Sequence, residues 1–162
     1  LQSFVYIPWC LGFFLKILFL PSIDGRLLII FLVLVCKSTD IFGYVFGKTM
    51  GRHKLSPVIS PNKTVEGAIG GILCSLLIAH VCYFIFLEQM MSFTKLWIYG
   101  ITLPLISIVG DLTESLLKRD AAFKDSGGIV PGLGGVLDML DSILFAVPFV
   151  YFIETMPCCS SL

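Results

Sequence analysis

Four carboxylate residues in the second half of the chain occur as two pairs, each with the spacing of about one helical turn. Asp111 and Glu114 form the first pair, and Asp138 and Asp141 form the second. Residues three positions apart on a helix project in similar directions, so each pair presents two carboxylates on one face. A basic connection rich in glycine separates the pairs. Two such pairs suit the binding of a divalent metal ion together with phosphate groups.

The residues from 115 to 142 resemble the signature of the phosphatidate cytidylyltransferase (CDP-diacylglycerol synthase) family. The matching segments, in order, are Ser115-x-x-Lys118-Arg119, Lys124-Asp125-Ser126-Gly127, Pro131-Gly132-x-Gly134-Gly135 and Asp138-x-x-Asp141-Ser142. Two positions depart from the family pattern. Leu133 stands where the family usually has histidine, and Met139 stands where it usually has arginine. Each departure removes a polar group from the expected substrate site.

The resemblance implies transfer of a cytidylyl group from CTP to phosphatidate, which gives CDP-diacylglycerol and pyrophosphate. It implies a magnesium-dependent site with two metal ions, of which the second is either divalent or monovalent. The implied catalytic residues are Asp111, Asp138, Asp141 and Lys118, and the three aspartates are also the implied metal ligands.

The alternative for the carboxylates is a position at helix ends in solvent, where Asp138 would only favour a helix N-terminus. A charged side chain at the bilayer centre costs roughly 2.5–3.5 kcal/mol, so carboxylates inside the membrane must face water, a cation or one another. Their place within a matching signature favours the metal site.

A second polar stretch, residues 38–71, also resembles the family, through an Asp-led helix with spaced glycines and a Ser-Pro-x-Lys-Thr turn. Pro61 and Thr64 suit the start of a helix, where free N–H groups bind anions, and Lys63 adds a positive charge for a phosphate. The alternative is an ordinary basic loop on the cytoplasmic side. The substrate-binding residues implied by both stretches are Asp40, Ser60, Lys63, Thr64, Arg119, Lys124 and Asp125.

Three other features are interpreted as structural. The segment from Gly43 to Thr49 has only three residues between its glycines, one fewer than a phosphate-binding P-loop, and it lies in an apolar run. Gly43 and Gly47 are therefore predicted to form a close helix–helix contact. His53 is interpreted as a solvated loop residue, and His80 as a packing or hydrogen-bonding residue.

Composition places the chain in a membrane. Of its 162 residues, 57% are apolar and 14% are charged, and the mean hydropathy is +0.97. These values predict an all-α, polytopic helical membrane bundle in which residues 1–162 form one domain. The resemblance implies that this domain is the C-terminal part of a longer family chain. A formal net charge of zero argues against a nucleic-acid partner. The implied partners are CTP, phosphatidate and membrane lipids, and a homodimer is left open.

Apolar runs predict about five membrane helices. They cover residues 4–20, 27–46, 67–87, 96–117 and 136–153, and Gly67 and Gly71 have the small-xxx-small spacing of close helix contacts. The basic loops 48–63 and 118–135 are separated by two predicted helices, so both fall on one side, which the positive-inside rule makes cytoplasmic. The expected location is therefore a multi-pass integral membrane position, in the inner (plasma) membrane if the chain is bacterial, with the site facing the cytoplasm.

Three alternatives remain for the function. A CTP-dependent polyprenol or lipid kinase would share the membrane bundle and the nucleotide but transfer the γ-phosphate. A non-catalytic transport protein could also carry carboxylates within helices. A family-derived but inactive chain is the third.

Overall fold

The computed structural model describes residues 2–21, 23–56, 60–120 and 136–155. Within these ranges the chain forms five α-helices and one small antiparallel sheet. The elements in order are α1 (Gln2–Leu18), α2 (Gly25–Met50), β1 (Lys54–Ser56), β2 (Ser60–Thr64), α3 (Val65–Cys82), α4 (Phe93–Asp120) and α5 (Val136–Thr155). A π-helical turn, Tyr83–Leu87, extends α3. The five predicted helices are thus confirmed.

Helices α2 and α3 pack backbone to backbone through glycines. A Cβ atom added to Gly67 would lie 2.5 Å from the Gly43 carbonyl oxygen and 2.9 Å from the Gly47 Cα atom. A Cβ atom added to Gly71 would lie 2.7 Å from the Thr39 carbonyl oxygen. All three distances are too short for a Cβ atom, so the two helices approach this closely because Gly67 and Gly71 carry no side chain. The predicted small-residue contact is therefore confirmed.

A short hairpin joins α2 to α3, and the sequence interpretation did not predict it. Strands β1 and β2 pair antiparallel, with Lys54 opposite Thr64. Helix α3 begins only after the hairpin, because Thr64 is extended and its hydroxyl accepts a hydrogen bond from the Gly67 N–H at 3.2 Å. Thr64 is an N-cap, as expected. Pro61 was expected at the helix start and instead lies in β2.

Glu66, in the first turn of α3, fixes the end of α2. Its carboxylate accepts hydrogen bonds from the backbone N–H groups of Arg52 and His53 at 3.1 and 3.2 Å. The Nδ1 atom of His53 lies 2.6 Å from the same carboxylate. The His53 side chain is exposed, as expected for a loop residue, but it has a carboxylate partner.

The core lies where α2, α4 and α5 meet α1 and α3. Its largest fully buried side chains include Phe31, Leu32, Val35, Tyr99, Leu103, Val147 and Val150. At the end of α4 far from the hairpin, Glu154 is buried and accepts from the Lys95 Nζ atom at 3.0 Å and from the Tyr99 hydroxyl at 2.6 Å. These contacts tie α4 to α5.

Three of the described helical segments are long and apolar enough to cross a membrane: Gly25–Met50, Val65–Leu87 and Phe93–Thr113. Two shorter apolar segments, Pro8–Leu18 and Ser142–Thr155, accompany them. Helix α3 carries an exposed apolar stripe formed by Leu73, Leu77, Val81 and Phe84. A continuous apolar stripe of this length would be unfavourable in water and matches a lipid environment. The chain is accordingly a membrane protein.

We expect Gly67→Ala to destabilise the bundle. The added methyl group must push α3 away from Gly43 and Gly47, and overpacking of this kind costs about 1–3 kcal/mol. Thermal unfolding in detergent, followed by size-exclusion chromatography, should show a midpoint several degrees lower. Gly12→Ala is the matched control, because a Cβ atom at Gly12 meets no atom within 4 Å. Equal midpoints for the two variants would contradict the glycine contact.

Candidate active site

A cavity of about 250 Å³ lies between α2, the hairpin, α3 and α4. Its lining contains five residues that the sequence predicts for the site, namely Asp40, Ser60, Lys63, Thr64 and Asp111. They come from three separate segments of the chain. The fold therefore brings together the two polar stretches that the sequence analysis treated separately.

An ion pair joins the two stretches directly. The Lys63 Nζ atom, at the end of β2, lies 2.5 Å from the Asp111 Oδ2 atom on α4. The Lys63 Nζ atom is shielded from solvent, and among the described residues this carboxylate is its charged partner. Because an ammonium group in an apolar setting needs a counter-charge, Asp111 stabilises Lys63 in the cavity.

The same geometry tests whether Asp111 suits a metal ion. Its carboxylate already contacts a cationic group, and about a third of the side chain is exposed at the cavity. A carboxylate oxygen of this kind is the donor that Mg²⁺ prefers. Within the part of the chain that the structure describes, no cluster of three metal-ligating side chains occurs. Asp111 is thus a fitting single ligand that needs further donors.

The other predicted ligands lie partly outside the described residues. The backbone places Asp138 and Asp141 in the first two turns of α5, but their side chains are not among those described. The same holds for the side chains of Glu114, Lys118 and Arg119 on α4. Lys124, Asp125 and Leu133 lie wholly outside the described residues, and so does the Met139 side chain.

Asp40 lies on the middle turns of α2 and also lines the cavity. Its Oδ2 atom accepts hydrogen bonds from the Lys37 Nζ atom at 3.1 Å and from the Ser142 hydroxyl at 3.0 Å. Its Oδ1 atom accepts from the Ser107 hydroxyl at 3.1 Å. The Lys37 Nζ atom also donates to the Ser142 hydroxyl oxygen at 3.2 Å. These four side chains form a polar network across α2, α4 and α5.

Sequence reasoning did not assign Lys37, Ser107 and Ser142 to the site. For Lys37 a signal was available, since a lysine in the middle of an apolar span is a functional candidate and Asp40 follows it at a helical spacing. Ser142 belongs to the matching signature, which implies no role for it, and Ser107 carries no such signal. A serine in an apolar helix usually bonds to its own backbone, as the Ser38 hydroxyl does with the Val35 carbonyl at 2.8 Å.

The start of α3 has fewer free N–H groups for an anion than the sequence analysis expected. The Val65 N–H donates to the His53 carbonyl at 2.9 Å, and the Gly67 N–H donates to the Thr64 hydroxyl. Two of the N–H groups expected to be free thus have partners within the chain. At this end of the helix, the Lys63 ammonium group is therefore the main candidate for binding a phosphate.

Two features interpreted as structural are confirmed as such. Gly43 and Thr49 lie within the continuous helix α2, which excludes a P-loop at this position. His80 is held by its own helix, with its Nδ1 atom 2.8 Å from the Leu76 carbonyl oxygen, and its ring packs edge to face on Trp97 at 5.0 Å.

Comparison with known proteins identifies the family of the chain. The chain matches the model of the cytidylyltransferase family over residues 1–156. It is 46% identical over 127 residues to the phosphatidate cytidylyltransferase of Staphylococcus haemolyticus. The aligned residues make up 78% of this chain and 48% of that protein. It is 42% identical over 149 residues to the phosphatidate cytidylyltransferase of Bacillus subtilis, which covers 92% of this chain and 55% of that protein. A third protein of the same name, from Staphylococcus aureus, is 46% identical over 131 residues, or 78% of this chain and 48% of that protein.

The chain spans about half the length of the curated relatives that it matches. The match to the family model nevertheless extends through all five helices and both strands. The family resemblance seen in the signature residues is thereby confirmed, and the chain belongs to the cytidylyltransferase family.

Proposed function

We propose that this chain carries the catalytic site of a phosphatidate cytidylyltransferase, which uses CTP and phosphatidate to make CDP-diacylglycerol and pyrophosphate. The main support for the proposal is that Lys63 and Asp111, which are 48 residues apart in the chain, form an ion pair in one cavity. The names of the relatives support the same reaction.

The reaction is an attack of a phosphate oxygen of phosphatidate on the α-phosphorus of CTP. One P–O bond forms between the lipid phosphate and the α-phosphorus, and the bond from the α-phosphorus to the pyrophosphate oxygen breaks. A phosphate monoester is largely dianionic at neutral pH, because its second pKa is about 6. The nucleophile therefore carries its own charge, and a general base is dispensable.

The site must bring two polyanions together and stabilise the negative charge of the leaving pyrophosphate. Asp111, Asp138 and Asp141 are the residues that would hold Mg²⁺, which when bound polarises phosphate oxygens and neutralises charge. The Lys63 ammonium group is already held at the cavity wall by Asp111. It can donate to a phosphate oxygen from that position without first being ordered. We assign additional phosphate contacts to Lys118, Arg119 and Lys124.

Substrate access follows from the same arrangement. We propose that the protein crosses the membrane several times, with the basic segments 48–63 and 118–135 on the cytoplasmic side, where CTP is dissolved. The wall of the cavity combines polar groups with the apolar side chains of Leu55, Ala68 and Ile108. Tyr44, which also lines the cavity, is exposed on the outer surface of α2. This side gives the acyl chains of phosphatidate a route from the lipid.

Labelled CTP tests the proposed reaction. Membranes carrying the chain are supplied with phosphatidate and with CTP labelled at either the α- or the γ-phosphorus, in the presence of Mg²⁺ or a chelator. We expect the α-label to enter chloroform-soluble lipid only when Mg²⁺ is present. Entry of the γ-label would instead identify a lipid kinase. Absence of both labels from correctly inserted protein would contradict catalysis by this chain.

We expect Lys63→Ala to raise the KM for CTP about tenfold or more. A hydrogen bond to a charged group contributes about 1.5–3 kcal/mol, and the variant loses one such bond to a phosphate. Lys54→Ala is the matched control, since Lys54 lies on the neighbouring strand of the same hairpin and is exposed. A KM in Lys63→Ala no higher than that of the control would contradict the assignment.

Asp111→Asn should lower kcat by at least about a hundredfold, because the amide removes the anionic metal ligand and leaves the Lys63 ammonium without its counter-charge. Activity is measured as α-label transfer at saturating CTP, and insertion is checked by the amount of protein recovered in membranes. Glu88→Gln, at an exposed carboxylate in the turn before α4, is the control. Wild-type turnover in Asp111→Asn would remove the carboxylate from the mechanism.

A further inference from the structure

The polar network around Asp40 connects three helices at one point. Asp40 and Lys37 come from α2, Ser107 from α4 and Ser142 from α5, and the four hydrogen bonds among them measure 3.0–3.2 Å. Both serines are fully buried. The network thus fixes the relative positions of three helices, and its central residue, Asp40, lines the cavity.

Asp40 is poorly suited to hold a substrate phosphate. Its carboxylate is negatively charged, as is every phosphate of CTP and phosphatidate, so a direct contact would be repulsive. Both carboxylate oxygens already accept hydrogen bonds from the chain itself. The hydroxyl groups of the neighbouring Ser38 and Thr39 donate to the Val35 carbonyl, within α2. Asp40 differs from them because its hydrogen bonds extend to α4 and α5.

The two serines occupy defined places relative to the expected metal ligands. Ser107 lies one helical turn before Asp111 on α4, and Ser142 lies one turn after Asp138 on α5. Residues four apart lie along the same face of a helix. Holding both serines on Asp40 therefore sets the rotation of α4 and α5 about their axes, and with it the direction in which the faces bearing Asp111 and Asp138 point.

We propose that Asp40 is a positioning residue, held by Lys37, which acts through Ser107 and Ser142 to bring the metal-binding faces of α4 and α5 together. This inference rests on the proposed function, because it concerns the metal ligands of that reaction. It also assigns Lys37, Ser107 and Ser142 to the site as groups that do not touch the substrate.

Binding of Mn²⁺ tests the proposal independently of catalysis. Mn²⁺ takes oxygen ligands as Mg²⁺ does, and electron paramagnetic resonance measures its free and bound fractions. Hydrogen bonds that orient metal ligands typically change metal affinity or activity by about 10- to 100-fold. We expect Ser107→Ala and Ser142→Ala each to raise the Kd for Mn²⁺ about tenfold. Ser38→Ala, which removes a buried hydroxyl bonded only to its own helix, should leave the Kd unchanged.

Steady-state kinetics separates positioning from substrate contact. Asp40→Asn should lower kcat and leave the KM for CTP unchanged, and Lys37→Met should do the same. Because both residues act through one network, the double variant should lose little more activity than the more affected single variant. An increase in the KM for CTP with unchanged kcat in Asp40→Asn would show contact with the nucleotide and overturn the proposal.

The metal measurement also separates failure of this proposal from failure of the proposed function. If the wild-type chain binds Mn²⁺ and the serine variants bind it less tightly, the positioning role stands even if no α-label is transferred. If the serine variants bind Mn²⁺ as tightly as the wild type, or if the wild type does not bind it, the positioning role is wrong. Ser107→Ala leaves Asp40 two of its three partners, so it provides a folded variant if Asp40→Asn fails to fold.

Discussion

The site depends on one constraint. A charged side chain among apolar helices needs a counter-charge, and here a distant part of the chain supplies it. The Lys63–Asp111 ion pair meets this constraint by joining the hairpin before α3 to the middle of α4. An ion pair of this kind contributes little net stability, because removing two charges from water costs about as much as their attraction returns. Its value lies in placing a cation and an anion side by side, in a cavity that we propose to accept phosphates and metal.

Close packing of α2 on α3 makes this pairing possible. The backbone contact at Gly43 and Gly67 draws the two helices together, and the Thr64 cap and the Glu66 carboxylate then fix the hairpin that carries Lys63. On the other side of the cavity, the Asp40 network holds α4 and α5 on α2. The glycines position the cation, and the Asp40 network positions the helices that bear the carboxylates.

The helices and several residues of the candidate site could be predicted from sequence, because local sequence patterns indicate both. Apolar runs of nearly membrane-spanning length indicated each helix, the Ser-Pro-x-Lys-Thr turn indicated Lys63, and the carboxylate spacing indicated Asp111. The hairpin was not predictable in this way, since its strands are three and five residues long and contain Lys54 and Pro61 in place of alternating apolar residues. The partners of Asp40 were hidden for a different reason. Ser107 and Ser142 follow Asp40 by 67 and 102 residues, and only tertiary packing brings them into contact.

We propose that arranged charges drive a direct attack of the lipid phosphate on CTP, with no covalent intermediate on the protein. The described residues that line the cavity include no cysteine, and a two-step route would have to use a hydroxyl group such as that of Ser60 or a carboxylate. The configuration at the α-phosphorus tests this claim most directly, using CTP that carries a chiral α-thiophosphate. A single in-line displacement predicts inversion in the CDP-diacylglycerol product. Retention would require two displacements through a cytidylyl-protein intermediate and would contradict the account.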